Sequence, residues 1–184
     1  KPWPAKAIHE RRMLLLAGCV QPVLAPNINA ATARVLDKLG IALFEEAKAG
    51  CCGAVRFHLN DQSAARDDMR RNIDAWWPHI EAGVEAIVVT ASGCGVQVRD
   101  YGHALADDVV YAEKAAKVSE LCRDPAEIIA AERQRMLDML VESRLERGKL
   151  AFHSPCTLQH GLKIRGIIED FLNSAGYIIS PSAD

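Results

Sequence analysis

The stretch Gly50-Cys51-Cys52-Gly53-Ala54 places two adjacent cysteines between glycines. Neighbouring side chains on a strand point to opposite faces, so a regular strand cannot direct both thiols at one point. A loop with flanking glycines can, because glycine allows unusual backbone angles and a close approach of the backbone. A disulfide between adjacent cysteines is strained, since the geometry of an S–S bridge is restrictive. The stretch therefore predicts a paired-thiolate site for a metal or cluster, with two buried free cysteines as the alternative.

The composition narrows the class of protein. The chain has 184 residues, enough for one substantial domain or for one domain and part of another, and a formal net charge of −2. This balance argues against a nucleic-acid partner, since no strongly basic surface is expected. The longest apolar run, near residues 86–91, is too short for a transmembrane segment. Six widely spaced cysteines predict reduced thiols and a cytoplasmic location instead of a secreted disulfide framework.

Apolar runs alternate with helical patterns along most of the chain. Strands are expected over residues 13–17, 41–45, 86–90, 150–152 and 177–179, and helices over residues 27–39, 61–81, 112–121, 126–146 and 158–175. This alternation predicts an α/β fold, in which a parallel sheet is flanked by helices in a Rossmann-like arrangement. The order strand, cysteine, helix, glycine, strand occurs first around Cys19 and again around Cys156. The second occurrence predicts the start of a second, related βαβ unit.

Four cysteines share one position in this expected fold. Cys19 follows the first strand, Cys51 and Cys52 follow the second, and Cys94 follows the third. The loops at the carboxyl ends of parallel strands meet at one edge of the sheet, where ligands bind. We therefore expect these four thiols to lie together. Cys156 also follows a strand, whereas Cys122 is expected within or at the end of a helix and is interpreted as structural.

Soft sulfur ligands select zinc or iron–sulfur clusters. The chain lacks the short Cys-x₂₋₄-Cys spacing that is typical of structural zinc sites, and it lacks the Cys-x₂-Cys-x₂-Cys run of a ferredoxin. A catalytic cysteine with a histidine partner is a further option, for which His58, His153 and His160 are the candidates. Of these, His58 is favoured because it lies six residues beyond Cys52.

Five short pieces, taken together, carry a resemblance to a known family. They are residues 16–22 (LAGCVQP), 29–34 (NAATAR), 50–54 (GCCGA) with His58, 91–95 (ASGCG) with Tyr101-Gly102, and 153–161 (HSPCTLQHG). The combination resembles the cysteine-rich "CCG" domain of heterodisulfide reductases and of iron–sulfur subunits that serve lactate-, glycerol-3-phosphate- and glycolate-oxidising enzymes. The pieces are most similar to the family of iron–sulfur subunits of bacterial glycolate oxidases.

The resemblance implies an electron-transfer subunit without a catalytic residue of its own. Cys19, Cys51, Cys52 and Cys94 would bind an iron–sulfur cluster of the 4Fe-4S type, with His58 and His153 as side chains beside the metal. The general pattern ends in Cys-x-x-Cys, whereas here Cys94 is followed by Gly95, Val96 and Gln97. A centre that needs five cysteines would thus lack its last ligand, while a four-thiolate centre is complete.

The resemblance also implies partners and a location. Flavin-containing subunits of the same complex would oxidise glycolate or another 2-hydroxy acid, and this chain, which has no Gly-x-Gly-x-x-Gly motif, would pass the electrons on to an acceptor. The complex would be cytoplasmic, with peripheral association at the inner face of the cytoplasmic membrane as a further option.

The same family pattern predicts the domain organisation. Residues 1–12 are expected to form a linker, residues 13–148 the first cysteine-rich domain, and residues 149–184 the beginning of a second, truncated one. Cys156 would then bind metal only together with a part of the second domain that this sequence lacks. The alternative from another class is a structural or docking module without redox activity, whose cysteines bind zinc or no metal.

Overall fold

The apolar runs of the sequence form strands, and the amphipathic segments between them form helices. The computed structural model describes residues 3, 9–142 and 147–181. The chain divides into two compact units, Lys1–Asp124 and Pro125–Asp184. Each unit contains its own parallel strands, which confirms the predicted α/β class.

The first unit is built on a four-stranded parallel sheet. Its strands are β1 (Arg11–Leu15), β2 (Ile41–Glu45), β3 (Ala86–Val88) and β4 (Cys122–Arg123). They lie in the order β2-β1-β3-β4, so β1 is an inner strand, with Met13 opposite Leu43 on one side and Ala86 on the other. The buried positions of β1, β2 and β3 are mostly Leu, Ile and Val, as expected for a parallel sheet that is covered on both faces.

Seven helices accompany this sheet among the described residues. They are α1 (Gln21–Leu24), α2 (Pro26–Lys38), α3 (Ala54–His58), α4 (Gln62–Glu81), α5 (Ser92–Arg99), α6 (Tyr101–Ala104) and α7 (Ala112–Leu121). The longest, α4, begins where the sequence predicts, because the Asp61 side chain accepts a hydrogen bond from the Ala64 amide. Its apolar stripe of Met69, Ile73 and Trp76 is buried in the core of the unit.

The second unit contains a smaller parallel pair. Its elements are α8 (Pro125–Ala131), α9 (Arg133–Glu142), β5 (Lys149–Phe152), a π-helical turn (Thr157–Gly161), α10 (Ile167–Ser174) and β6 (Ile178–Pro181). β5 pairs with β6 in parallel, so the predicted second βαβ unit is present. The domain boundaries expected from the family pattern stay a prediction, because the two units are defined by compactness alone. No helix in the described ranges combines the length and the hydropathy needed to cross a membrane.

The structure corrects several element boundaries. β1 begins at Arg11, inside the expected linker, because the backbone pairing with β2 continues to Ile41. Both charged side chains find partners there: Arg11 forms an ion pair with Glu85, and Arg12 lies over the ring of Phe44. Of the linker, residues 1–2 and 4–8 lie outside the described ranges.

Two expected long helices are interrupted. The helix predicted over residues 158–175 is replaced by the π-helical turn and α10, because Lys163 and Gly166 have positive φ angles of 61° and 74°. A residue in this left-handed conformation cannot continue a right-handed helix. The helix predicted over residues 126–146 is interrupted at Glu132, and residues 143–146 lie outside the described ranges.

Cys122 lies at the end of a helix, as expected, and also opens a strand that the sequence did not predict. α7 ends at Leu121, and Cys122 opens β4, where it lies opposite Ile87 of β3. Its side chain is only 1% exposed and its thiol faces the Gly95 carbonyl at 3.8 Å. A buried thiol at this position packs as a small apolar side chain.

The strand order creates a switch point at the carboxyl edge of the sheet. From β1 the chain moves outward to β2, then returns past β1 to β3 and β4. The connections that leave β1 and β3 therefore diverge at the carboxyl ends of these two strands. In open parallel sheets, ligands bind where the connections diverge in this way.

Gly53 allows the paired-cysteine loop to lie against α4. Its φ angle is +90°, and a Cβ atom at this position would approach the Ala65 carbonyl oxygen of α4 to 3.0 Å. Both the backbone conformation and the close approach require glycine. The need for glycine at position 53 is thus explained by the packing of the loop against α4, whether or not a metal is bound.

We predict that Gly53→Ala lowers the free energy of unfolding by about 2 kcal/mol, since it combines a left-handed conformation with a steric conflict. Gly93→Ala is the matched control, because Gly93 lies in α5 and an added methyl group would meet open space there. Alanine at that position should leave stability unchanged or raise it by up to about 1 kcal/mol. Urea unfolding of the two variants measures both effects. Equal free energies of unfolding for Gly53→Ala and Gly93→Ala would show that the paired-cysteine loop does not pack closely against α4.

Candidate metal centre

The four predicted thiols follow β1, β2 and β3 at the carboxyl edge of the sheet, where the switch point lies between β1 and β3. Cys19 comes four residues after β1, Cys51 and Cys52 lie in the loop after β2, and Cys94 lies in the first turn of α5 after β3. The loop positions are set by the sheet, since β1 pairs directly with both β2 and β3. This placement follows the sequence prediction for each of the four residues.

The thiols contact one another in two pairs. Cys19 lies within hydrogen-bonding reach of Cys51, and Cys52 lies within reach of Cys94. The two pairs also interact electrostatically, because charge on Cys52 acts on Cys19 and charge on Cys51 acts on Cys94. All four are free thiols. The arrangement thus forms one group of sulfur atoms drawn from three separate segments of the chain.

Burial and hydrogen bonds between the thiols shift the pKa values of Cys19, Cys52 and Cys94. Burial raises the pKa of Cys19, and the hydrogen bond to Cys51 raises it further. The hydrogen bond that Cys52 donates to Cys94 raises the pKa of Cys52, as does burial, and the same bond lowers the pKa of Cys94. A positively charged group among these sulfur atoms would stabilise their thiolate forms.

The donor set fits a metal-containing group with several metal atoms. Thiolates are soft ligands that suit zinc and iron–sulfur clusters. A single zinc ion needs its sulfur ligands at about 2.3 Å from one point. Within the described ranges, no three cysteine, histidine or carboxylate side chains are grouped to hold one metal ion. A cluster offers a separate iron atom to each thiolate, so it suits sulfur atoms that are neighbours without sharing one centre.

A buried hydrogen-bond network fixes the paired-cysteine loop. Asn72 of α4 accepts a hydrogen bond from the Gly50 amide at 2.8 Å and donates one to the Cys51 carbonyl at 2.9 Å. Tyr101 of α6 donates its hydroxyl hydrogen to the Cys52 carbonyl at 2.9 Å and accepts one from Asn72 at 3.1 Å. Both side chains are 0% exposed. Burial raises the pKa of Tyr101, so its hydroxyl stays protonated and remains a donor.

An ion-pair cluster supports this network from the solvent side. Arg71 donates to the Cys51 carbonyl at 2.9 Å and pairs with Asp68, whose carboxylate is almost fully buried. Arg56 of α3 approaches the same carboxylate at 3.1 Å. The two arginines neutralise the buried charge of Asp68 and connect α3 to α4. These contacts therefore hold the cysteine-bearing end of the loop and the helix that follows it against α4.

A second network holds the loop that carries Cys19. Asn29 of α2 donates to the Ala17 carbonyl at 3.3 Å, two residues before Cys19. The Thr90 hydroxyl, just after β3, lies 2.7 Å from the Asn29 side-chain oxygen and 3.0 Å from that of Gln21. These contacts link the segments that follow β1 and β3. They connect the loop of Cys19 to the segment that precedes Cys94.

The remaining predicted residues lie elsewhere. His58 is exposed at the end of α3, and its ring packs edge-on against Phe57 instead of a thiol. Cys156 and His153 are exposed in the second unit, next to the π-helical turn. His160 of that turn lies 3.0 Å from Arg165. For Cys156, His58 and His153, a role beside metal stays a prediction.

Sequence reasoning missed the residues that position the cysteines. Asn72 and Asp68 occupy positions of α4 that belong to its buried stripe, next to Ile73 and Met69. A polar residue at a buried helical position needs a hydrogen-bond partner, so Asn72 and Asp68 could have been predicted from the sequence to contact another segment. Tyr101 was noted within the resemblance without a role. Its partner, Cys52, is 49 residues away in sequence.

The fold and the site define a class of protein. The first unit is a parallel α/β domain in which four cysteines, from the ends of three strands, form a thiolate site. This arrangement defines a cysteine-rich, metal-binding class of domain. Residues 13–99 match the family described as "Cysteine-rich domain" (CCG).

Comparison with individual proteins gives more specific similarities than the family match. The chain is 51% identical over 176 residues to the glycolate oxidase iron–sulfur subunit of Escherichia coli (strain K12), covering 96% of this chain and 42% of that protein. It is 26% identical over 141 residues to the probable glycolate oxidase iron–sulfur subunit of Bacillus subtilis (strain 168), covering 76% and 31%. It is 28% identical over 110 residues to lactate utilization protein A of Bacillus cereus (strain B4264), covering 59% and 44%. The chain thus spans less than half the length of these relatives.

We predict that Tyr101→Phe lowers the free energy of unfolding by about 1–3 kcal/mol, because the Cys52 carbonyl loses its buried donor. Cys52 of the metal-free chain should also react faster with iodoacetamide as the loop loosens. Tyr111→Phe is the matched control, since the Tyr111 hydroxyl meets Asp74 at an exposed site. Its effect should stay within about 0.5 kcal/mol. Equal effects of the two substitutions would show that the Tyr101 network does not hold the loop.

Proposed function

We propose that this chain is the electron-transfer part of an iron–sulfur subunit in a complex that oxidises glycolate or a related 2-hydroxy acid. The observation that carries the proposal is the meeting of Cys19, Cys51, Cys52 and Cys94 at the switch point. The 51% identity to a protein named as a glycolate oxidase iron–sulfur subunit supports the same function. The four thiolates hold an iron–sulfur cluster in this proposal.

The 4Fe-4S type is the form that the donor set favours, since four thiolates supply one ligand to each of four iron atoms. When bound, such a centre accepts and releases single electrons. The chain's own residues hold its ligands in place: Asn72 and Tyr101 fix the paired-cysteine loop, and Asn29 fixes the loop of Cys19. The N-terminus of α5 lies at Cys94, where its partial positive charge favours a thiolate.

Burial is graded across the site. Cys52 is 2% exposed and lies in the core of the unit, whereas Cys19 is exposed. The buried side excludes water from the centre, which limits hydrolysis and unwanted oxidation. The exposed side is where an electron donor or acceptor can approach.

The chemistry on the organic substrate is assigned to partner subunits. We propose that a flavin-containing subunit removes the electrons from glycolate and that this chain relays them to an acceptor. The four thiols of the site support the relay role of this chain. Cys156 joins a second centre only in a longer polypeptide, in which residues 149–184 begin a second cysteine-rich domain. The complex is proposed to be cytoplasmic, with peripheral association at the membrane as one arrangement.

We predict that Cys52→Ser, in the assembled complex, removes the absorption of this centre and stops electron flow to the acceptor, because serine is a poorer ligand for iron. Reduction of the flavin by substrate should continue, since that step belongs to the partner. The two steps are measured separately, by flavin bleaching under anaerobic conditions and by reduction of an added acceptor.

Cys122→Ser is the matched control, because Cys122 is equally buried but packs behind α5 at β4. It should keep the centre and both activities, with a loss of stability of about 1 kcal/mol. Acceptor reduction by Cys52→Ser at the wild-type rate would contradict the ligand assignment. Loss of the centre in Cys122→Ser would show that the ligand set had been chosen wrongly.

A further inference from the structure

Gln97 of α5 carries a buried amide group whose nitrogen is unused. The side chain is 5% exposed, and among the described residues its Nε2 atom has no hydrogen-bond partner. A side-chain amide nitrogen has two hydrogens to donate. Buried donors in folded proteins are nearly always paired, so this one calls for an acceptor that the polypeptide itself does not supply.

The position of Gln97 places it on the side of the helix that faces the paired-cysteine loop. α5 and α6 are joined by Asp100, which keeps a helical conformation, so Cys94, Gln97 and Tyr101 follow one face at spacings of three and four residues. Both ends of this stripe meet Cys52: the Cys94 sulfur accepts from its thiol, and the Tyr101 hydroxyl donates to its carbonyl. Gln97 lies between them.

The direction of the side chain points to the acceptor. Helical side chains lean toward the N-terminus of their helix, and a long side chain covers the preceding turn. For Gln97 that turn contains Cys94, at the end of α5 where the four thiols meet. The group on the other side, the Tyr101 hydroxyl, already donates to Cys52 and accepts from Asn72.

We infer that Nε2 of Gln97 donates a hydrogen bond to a sulfur atom of the centre held by the four thiolates, and that this bond raises the reduction potential of the centre. The inference rests on the proposed function. Hydrogen bonds to sulfur are one of the means by which a protein sets the potential of an iron–sulfur cluster. A donor stabilises the reduced state more, since that state carries the additional negative charge. Gln97 is thus a positioning and tuning residue and not a ligand.

The test is a redox titration of the chain, reconstituted with iron and sulfide under anaerobic conditions. Gln97→Met keeps the length of the side chain and removes both donors. Its iron content should match the wild type, while its ratio of reduced to oxidised centre at a fixed potential should fall about tenfold, which is about 59 mV for one electron. Gln62→Met, the same change at the exposed start of α4, should leave the potential unaltered.

A spectroscopic measurement checks the bond itself. With glutamine labelled by ¹⁵N in its side chain, pulsed EPR of the reduced wild-type centre should detect a ¹⁵N coupling that Gln97→Met abolishes. If the methionine variant does not hold the centre, Gln97→Glu replaces it, because glutamate keeps the shape and lacks the amide nitrogen.

The outcomes separate this inference from the proposed function. A wild-type centre without ¹⁵N coupling, a coupling that persists in the variant, or an unchanged midpoint potential in Gln97→Met would each overturn the role of Gln97 while the centre stands. A wild-type chain that takes up no iron would overturn the proposed function, and this inference with it.

Discussion

The structure of the site depends on the buried hydrogen bonds that Asn72 and Tyr101 make to the paired-cysteine loop. Residues 50–52 lie outside regular secondary structure, so neither a ladder of strands nor a helix pairs the Gly50 amide and the carbonyls of Cys51 and Cys52. The two side chains take over this function at 0% exposure. Without them the loop would have to turn toward water, and Cys52 would leave the core where it meets Cys94.

A second constraint comes from the order of the strands. Because β1, β2 and β3 are parallel and β1 lies between the other two, the segments that follow these strands leave the same edge of the sheet as neighbours. Cysteines that are 32 and 42 residues apart can therefore share a site without a local sequence motif. The same convergence places four thiols together. Burial and the hydrogen bond to Cys51 raise the pKa of Cys19, and the hydrogen bond to Cys94 and burial raise the pKa of Cys52.

The sequence predicted those features that local patterns encode. Alternating apolar and amphipathic segments indicated the parallel sheet, Asp61 indicated the start of α4, and the cysteines after three strands indicated one shared site. β4 was missed because a strand of two residues, Cys122–Arg123, has no periodic pattern. The interruption before α10 was missed because Lys163 adopts a positive φ angle that its residue type does not suggest.

The contacts of Asn72 and Tyr101 with the paired-cysteine loop could not be predicted, since they join segments 21 and 49 residues apart. His58 was favoured for its proximity in sequence, which does not determine where an exposed side chain lies.

The central claim is that Cys19, Cys51, Cys52 and Cys94 bind one group together. Peptide-resolved alkylation of the chain, reconstituted anaerobically with iron and sulfide and then treated with a chelator, tests it directly. We expect all four cysteines to be protected in the loaded chain. Cys19, which is exposed without the metal, should become reactive after chelation, while Cys156 should react in both states. Alkylation of Cys19 in the loaded chain at the same rate as Cys156 would contradict the claim.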